Sequence, residues 1–168
     1  FLDQKINIDD LRKKIICSFK KIQENNQWVL VEGTGHCGVG SIIHLNNAQV
    51  AKELKLPVIL ISSGGLGSSF DDLMLNITLC NQYKLPILGV ILNRVLPEKQ
   101  EMIRYYMTKA LKRWNLPLLG CIPFDPFLST FSMGDFELLF QTSVLTGESH
   151  RLRHFDRIRL VATSVESY

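Results

Sequence analysis

The sequence predicts an α/β fold, a doubly wound and mostly parallel sheet with helices on both faces. Three observations carry that expectation. Short apolar runs recur at residues 28–31, 57–62, 86–92 and 116–122, with amphipathic segments between them. Between Val31 and Asn93 only seven charged residues occur: Glu32, Lys52, Glu53, Lys55, Asp71, Asp72 and Lys84. Such charge-poor sequence is what a sheet covered on both sides requires. Finally, 168 residues that are 46% hydrophobic suffice for one compact domain and part of a second.

The elements follow in order. A first helix takes Asp9 or Asp10 as its cap and places Leu11, Ile15, Ile16, Phe19 and Ile22 on one face. The run Trp28-Val29-Leu30-Val31 predicts the first strand. A second helix starts at Asn46 or Asn47 and carries Val50, Ala51 and Leu54. The strand at 57–62 leads to a third helix at Ser68-Ser69-Phe70-Asp71-Asp72, where serine can cap and acids favour the positive end of the dipole. After the strand at 86–92, a fourth helix follows Pro97, with Ile103, Met107, Ala110, Leu111 and Trp114 at helical spacing. The last strand of this series is 116–122.

Beyond Pro126 the pattern changes. Residues 128–141 read as irregular to helical, and 151–162 alternate basic and apolar residues, with Ile158, Leu160 and Ala162 toward a core. The expected division is 1–133 and 134–168, the second module starting near Gly134.

Composition excludes several classes. No apolar stretch nears the ~18 residues of a membrane span. The net charge of +3 does not argue for nucleic acid, and the basic run Arg151, Arg153, Arg157, Arg159 fits a solvated strand face. Four cysteines (Cys17, Cys37, Cys80, Cys121) without CxxC spacing are expected as reduced, mostly buried thiols of a cytoplasmic protein. The four histidines lack metal-ligand spacing, and adjacent residues such as His36 and Cys37 seldom face each other as a nucleophile pair. The chain opens Phe1-Leu2-Asp3 without an initiator Met or signal pattern, and we expect a fragment.

The chemistry-bearing residues lie at predicted strand ends. Glu32 and the loop from Gly33 to Gly40 follow the first strand. A carboxylate at the carboxyl end of a parallel strand sits where ligands bind in open α/β sheets, and commonly holds Mg²⁺ opposite nucleotide phosphates. The alternative is that Glu32 only orients the loop. Gly33-x-Gly35-x-x-Gly38 matches the dinucleotide fingerprint, but the acid that fingerprint needs at the end of the next strand is missing: that strand runs Ile61-Ser62-Ser63-Gly64. A second cluster, Gly64-Gly65-Leu66-Gly67-Ser68-Ser69, either offers amides to an anion or makes a tight loop with capping serines. Asn93 ends the strand 88–93, and its amide offers the donor and acceptor a purine edge demands; the alternative is a loop-stabilising Asn. Leu119-Gly120-Cys121-Ile122-Pro123-Phe124-Asp125 ends the next strand on the same edge.

Taken in order, Val31-Glu32-Gly33-Thr34-Gly35, 56–61, 88–93 and Leu119-Gly120-Cys121-Ile122-Pro123 resemble dethiobiotin synthetase, a P-loop protein related to cobyrinic acid a,c-diamide synthase. The loop with Asn46-Asn47-Ala48 looks closer to the dethiobiotin-synthetase-like domain that opens phosphotransacetylases. In those proteins a DRTGG domain follows, which 142–148 and 161–167 resemble. The resemblance implies a P-loop NTPase-like fold incomplete at its N-terminus, because no Gly-x4-Gly-Lys-Ser/Thr occurs here. It implies Glu32 as a Mg²⁺ ligand, Gly33, Thr34 and Gly35 as a substrate-side loop, and Asn93, Pro123, Phe124 and Asp125 as nucleotide contacts. ATP and Mg²⁺ are the implied cofactors of the intact parent. A small carboxylate substrate, activated through an acyl phosphate, and a homo-oligomer follow from the same likeness. His36-Cys37 stands where the synthetase has another glycine. The rival expectations are a non-catalytic nucleotide sensor of a phosphotransacetylase-like protein and a structural dimerisation domain.

Overall fold

The computed structural model describes residues 7–155. The expected strand face at Arg157, Ile158, Arg159, Leu160 and Ala162, and the likeness at 161–167, lie outside those residues. Two compact units divide the chain, residues 1–124 and 125–168.

The first unit is built on three parallel strands in the order β1 (Val58–Ser63), β2 (Ile87–Val95) and β3 (Leu118–Pro123). Helix α3 (Ser68–Gln82) connects β1 to β2, and α4 (Gln100–Leu111) connects β2 to β3. Alternation along β1 and β2 places Leu60, Val90 and Leu92 in the core. Leu73, Ile77 and Cys80 of α3 and Ile103, Met107 and Leu111 of α4 meet them in one cluster. The four positions Ile103, Met107, Leu111 and Trp114 repeat at helical spacing and all turn toward that cluster. The α/β class, the parallel sheet and its crossover helices are as the sequence predicts. Ile59 and Ile61, which alternate with Leu60, are exposed, as are Leu88, just before the irregularity at Gly89, and Leu119.

Register shifts occur at Val58/Ile59 and at Val90/Ile91. Gly89 sits at the first, with φ +155°, and a Cβ there would lie 2.6 Å from Leu119 Cγ and 2.8 Å from the Pro117 carbonyl oxygen. Only glycine lets β2 and β3 approach this closely.

Helix α2 (Asn47–Glu53) starts where the sequence predicts. Asn46 accepts from Gln49 N–H while Gln49 returns a bond to the Asn46 N–H, a complete capping box. Three expectations are corrected. Helix α1 (Ile8–Glu24) is capped by Asn7, whose Oδ1 accepts from Asp9 N–H, and not by Asp9 or Asp10. Both aspartates instead occupy the first turn, where the dipole favours them. Helix α3 has Gly67 as its N-cap and no side-chain cap, so neither serine serves there.

The third correction concerns the first strand. Residues 28–31 form no strand and pair with none among the described residues, and Trp28 and Leu30 are 90% and 97% exposed. A strand exists only through its partners' hydrogen bonds, and apolar alternation alone does not supply them.

In the second unit, Pro126–Ser129 form a 3-10 turn, and β4 (Phe131–Ser132) pairs antiparallel with β5 (His154–Phe155). Helix α5 (Met133–Phe140) follows, so Gly134, the expected start of the second module, is the second residue of this helix. Ser132 and Asp135 form its capping box. Arg151 and Glu137 pair at 2.9 Å.

Candidate functional site

The loop from Gly33 to Gly40 is organised by α2 and α3. Asn47, the first residue of α2, donates from Nδ2 to the Thr34 and His36 carbonyls, each at 2.9 Å. Its side chain fills the space beside Gly33, where a Cβ would approach it to 2.9 Å. Asn76 of α3 accepts from Cys37 N–H at 2.8 Å, and Ala48 N–H donates to the Cys37 carbonyl. His36 Nδ1 accepts from Gly38 N–H, and the Ser41 hydroxyl donates to the Gly38 carbonyl. His36 therefore shapes the loop through this bond.

Glu32 lies just before this loop, exposed and without a hydrogen-bond or ion-pair partner among the described residues. It follows a segment that forms no strand, which corrects its expected placement at a strand end. A lone hard-oxygen donor of this kind suits Mg²⁺, which keeps several waters and takes one or two carboxylates alongside phosphates. Among the described residues no group of three His, Cys, Asp or Glu side chains could hold a metal by itself.

The second group lies at the carboxyl ends of the strands. Asn93 is paired with Ser63, and Val95 with Pro123. The Asn93 carbonyl accepts from Gly64 N–H at 2.7 Å, and the Val95 carbonyl from Phe124 N–H at 2.8 Å. Asn93, Pro123 and Phe124 are thus brought to one sheet edge, beside the glycine-rich turn into α3. The Asn93 Oδ1 accepts from Arg94 N–H at 2.9 Å, leaving its NH₂ group without a partner among the described residues. Asp125 opens the second unit and is engaged locally, accepting from Phe127 N–H at 2.9 Å to cap the 3-10 turn. No hydrogen bond or ion pair joins Glu32 to the Asn93 edge among the described residues.

Two open depressions lie elsewhere in the first unit. One, of about 460 Å³, is lined by Gln49, Lys52, Glu53, Lys55 and Tyr83; the other, of about 550 Å³, by residues of the α4–β3 connection such as Asn115 and Pro117. Neither includes a residue predicted from the sequence.

Sequence reasoning missed Arg94. It has φ +59° and its guanidinium carbon lies 5.5 Å from the centre of the Phe124 ring. It also missed the clamp by Asn47, whose one available signal is the Asn46-Asn47 doublet: a single asparagine suffices to cap α2.

Comparison with known proteins decides the family. A family model described as "AAA domain" matches residues 2–131. The chain belongs to the AAA domain family. Over 124 residues this AAA-family chain is 30% identical to the ATP-dependent dethiobiotin synthetase of Nitrosopumilus maritimus, covering 71% of this chain and 51% of that protein. It is 27% identical over 168 residues to the phosphate acetyltransferase of Nitrosomonas europaea, covering 94% of this chain and 24% of that one. It is 33% identical over 85 residues to the cobyrinate a,c-diamide synthase of Limosilactobacillus reuteri, covering 50% and 18%. The AAA-family chain therefore spans about half the length of this synthetase and less of the others. The likeness to dethiobiotin synthetase is borne out: this is a dethiobiotin-synthetase-like, P-loop-type domain. No helix among the described residues is long and apolar enough to cross a membrane.

Proposed function

We propose that this chain supplies the base-reading and Mg²⁺-side part of an ATP-binding domain, in a parent that activates a small carboxylate through an acyl phosphate. The convergence of Asn93, Pro123 and Phe124 at one carboxyl edge of the parallel sheet carries this reading, because ligands of open α/β sheets bind there. The Asn93 NH₂ group is the donor offered to the base, while Phe124, steadied by Arg94, offers an apolar wall. The backbone of Gly33, Thr34 and Gly35 forms the substrate side, held by Asn47. Glu32 would hold Mg²⁺, which when bound offsets phosphoryl charge. Asp125, committed to its own turn, serves the base loop as a cap.

The test is made in a polypeptide that also contains a phosphate-binding loop. Asn93→Ala weakens ATP binding by about 1–3 kcal/mol, the cost of unpaired polar groups on the base, and leaves inorganic triphosphate binding unchanged. Equal losses for both ligands assign Asn93 to the scaffold.

A second reading is nucleotide sensing without turnover, with residues 134–168 as the start of a DRTGG-like regulatory domain. The phosphate acetyltransferase relatives, of which the chain covers about a quarter, support it. Nucleotide binding without product formation from any carboxylate favours this second reading.

A further inference from the structure

Cys37 and Cys80 are separated by 43 positions in the chain, yet their sulfurs lie 3.8 Å apart. Cys37 sits in the glycine-rich loop and is half-buried; Cys80 is fully buried on α3. The main chain around Cys37 is fixed to the same helix face. Its N–H donates to Asn76, which lies one turn before Cys80 on α3, and its carbonyl accepts from Ala48. Both the sulfur and the backbone of Cys37 are therefore held against α3 by separate contacts.

We propose that Cys37 and Cys80 are a redox modification site, forming a reversible disulfide that staples the 33–40 loop to α3. Closing the bond brings the sulfurs from 3.8 Å to about 2.05 Å. The reaction uses hydrogen peroxide as oxidant. The Cys37 thiolate attacks one peroxide oxygen, the O–O bond breaks, and hydroxide leaves to become water, giving the Cys37 sulfenic acid. Cys80 then attacks the Cys37 sulfur, releasing its proton and a second hydroxide, which combine as water. Two thiols lose two electrons and two protons, and one peroxide becomes two waters. The order of attack follows accessibility, since Cys37 alone of the pair reaches solvent. It also follows acidity: hydrogen bonding from Cys80 favours the Cys37 thiolate, while the same bond and burial push the Cys80 thiol up. This site is independent of whether the loop binds a substrate.

The experiment treats the folded 168-residue chain, carrying Cys17→Ser to remove the exposed thiol, with stoichiometric peroxide. Free thiols are then alkylated and the chain is digested with trypsin. The expected product joins peptide 22–52 to peptide 56–84 through a bond that dithiothreitol reverses, with Cys121 alkylated. The oxidised protein should melt at higher temperature, because the link constrains the unfolded chain. In denaturant the same treatment should scatter the pairing to include Cys121. With Cys80→Ala and a second equivalent of peroxide, Cys37 should pass through the sulfenic acid to the sulfinic acid, one water forming at each step. Native oxidation that leaves Cys37 and Cys80 both alkylated, or pairs Cys37 with Cys121 as often as with Cys80, overturns the proposal. The native mapping reads the outcome even if the Cys80 variant does not fold.

Discussion

Arg94 lies over the ring of Phe124, guanidinium carbon 5.5 Å from the ring centre, where the carboxyl ends of β2 and β3 meet. The contact is made from a left-handed backbone, φ +59°, which costs a non-glycine residue roughly 1–2 kcal/mol. The stacking contributes about 0.5–1 kcal/mol at an exposed site. Two substitutions separate these opposing effects. Arg94→Ala loses the contact and keeps the strain, so it should destabilise the first unit by about 0.5–1 kcal/mol. Arg94→Gly loses the contact and relieves the strain, so its stability should equal or exceed that of the natural chain. Urea melts of the three proteins check the ordering, and a glycine variant weaker than the alanine one contradicts it.

Asn47 donates twice, to Thr34 and His36, and both carbonyls lose a partner in Asn47→Ala. A loss of about 1–2 kcal/mol is expected, concentrated in the loop. Hydrogen exchange should accelerate at Val39 and Ser41, whose amides bond within this loop, and change little in β2. Asn47→Asp should be worse than the alanine variant, because it sets a carboxylate against two carbonyl oxygens.

The capping box of α5 is pH-sensitive in a defined direction. Hydrogen bonds from the Ser132 N–H and hydroxyl hold the exposed Asp135 carboxyl below the usual aspartate range. A carboxyl depressed on folding contributes stability above its unfolded value, about 3.9, and that contribution fades as pH falls through the lower folded value. Amide protection in residues 134–140 should therefore drop in mildly acidic solution below about pH 4. Asp135→Asn should flatten that dependence.

Iodoacetamide modification of Cys37 should rise with pH at a lower midpoint than that of an ordinary thiol, because the bond from Cys80 favours its thiolate. Cys80→Ala removes that bond and should move the midpoint up. An unchanged midpoint would show that the two sulfurs do not share a proton in solution.

Glu32→Gln keeps the side chain's length and removes its charge. With no partner to lose among the described residues, the variant should melt with the natural chain. In a polypeptide that binds nucleotide, the Mg²⁺ dependence of that binding should weaken. A destabilised variant with an unchanged Mg²⁺ response assigns Glu32 to the scaffold.

The elements from α2 to β3 were legible because their signals are local. The asparagine before α2, the apolar runs of β1 and β2, and the spacing of Ile103, Met107 and Leu111 each report a period or a cap within a few residues. Residues 28–31 carried the same apolar signal, but strand status depends on partners far along the chain, and none of the described strands provides one. The expectation that the cysteines are mostly buried also failed. Cys80 is buried, Cys37 and Cys121 are half-buried, and Cys17 lies exposed on α1, at a position between the half-buried Ile16 and Phe19. At the candidate site, Asn93 and Pro123 could be placed on one edge from strand order alone. The Asn47 clamp and the Cys37–Cys80 approach could not, since each joins residues whose separation carries no periodicity.

The backbone at Gly64 sets how far this sheet edge can drift in sequence. A Cβ there would come within 2.5 Å of Val95 Cγ2 and 2.6 Å of Val95 Cα. Shrinking residue 95 removes the first obstacle and leaves the second, so no partner substitution compensates for losing this glycine. Gly67, three residues on, has no atom within 4 Å of where its Cβ would stand, but its backbone, φ −89° and ψ −117°, lies outside the regions open to residues that carry a Cβ. Both glycines should therefore stay fixed while the turn between β1 and α3 varies around them, 64 held by its contact with Val95 and 67 by its own backbone.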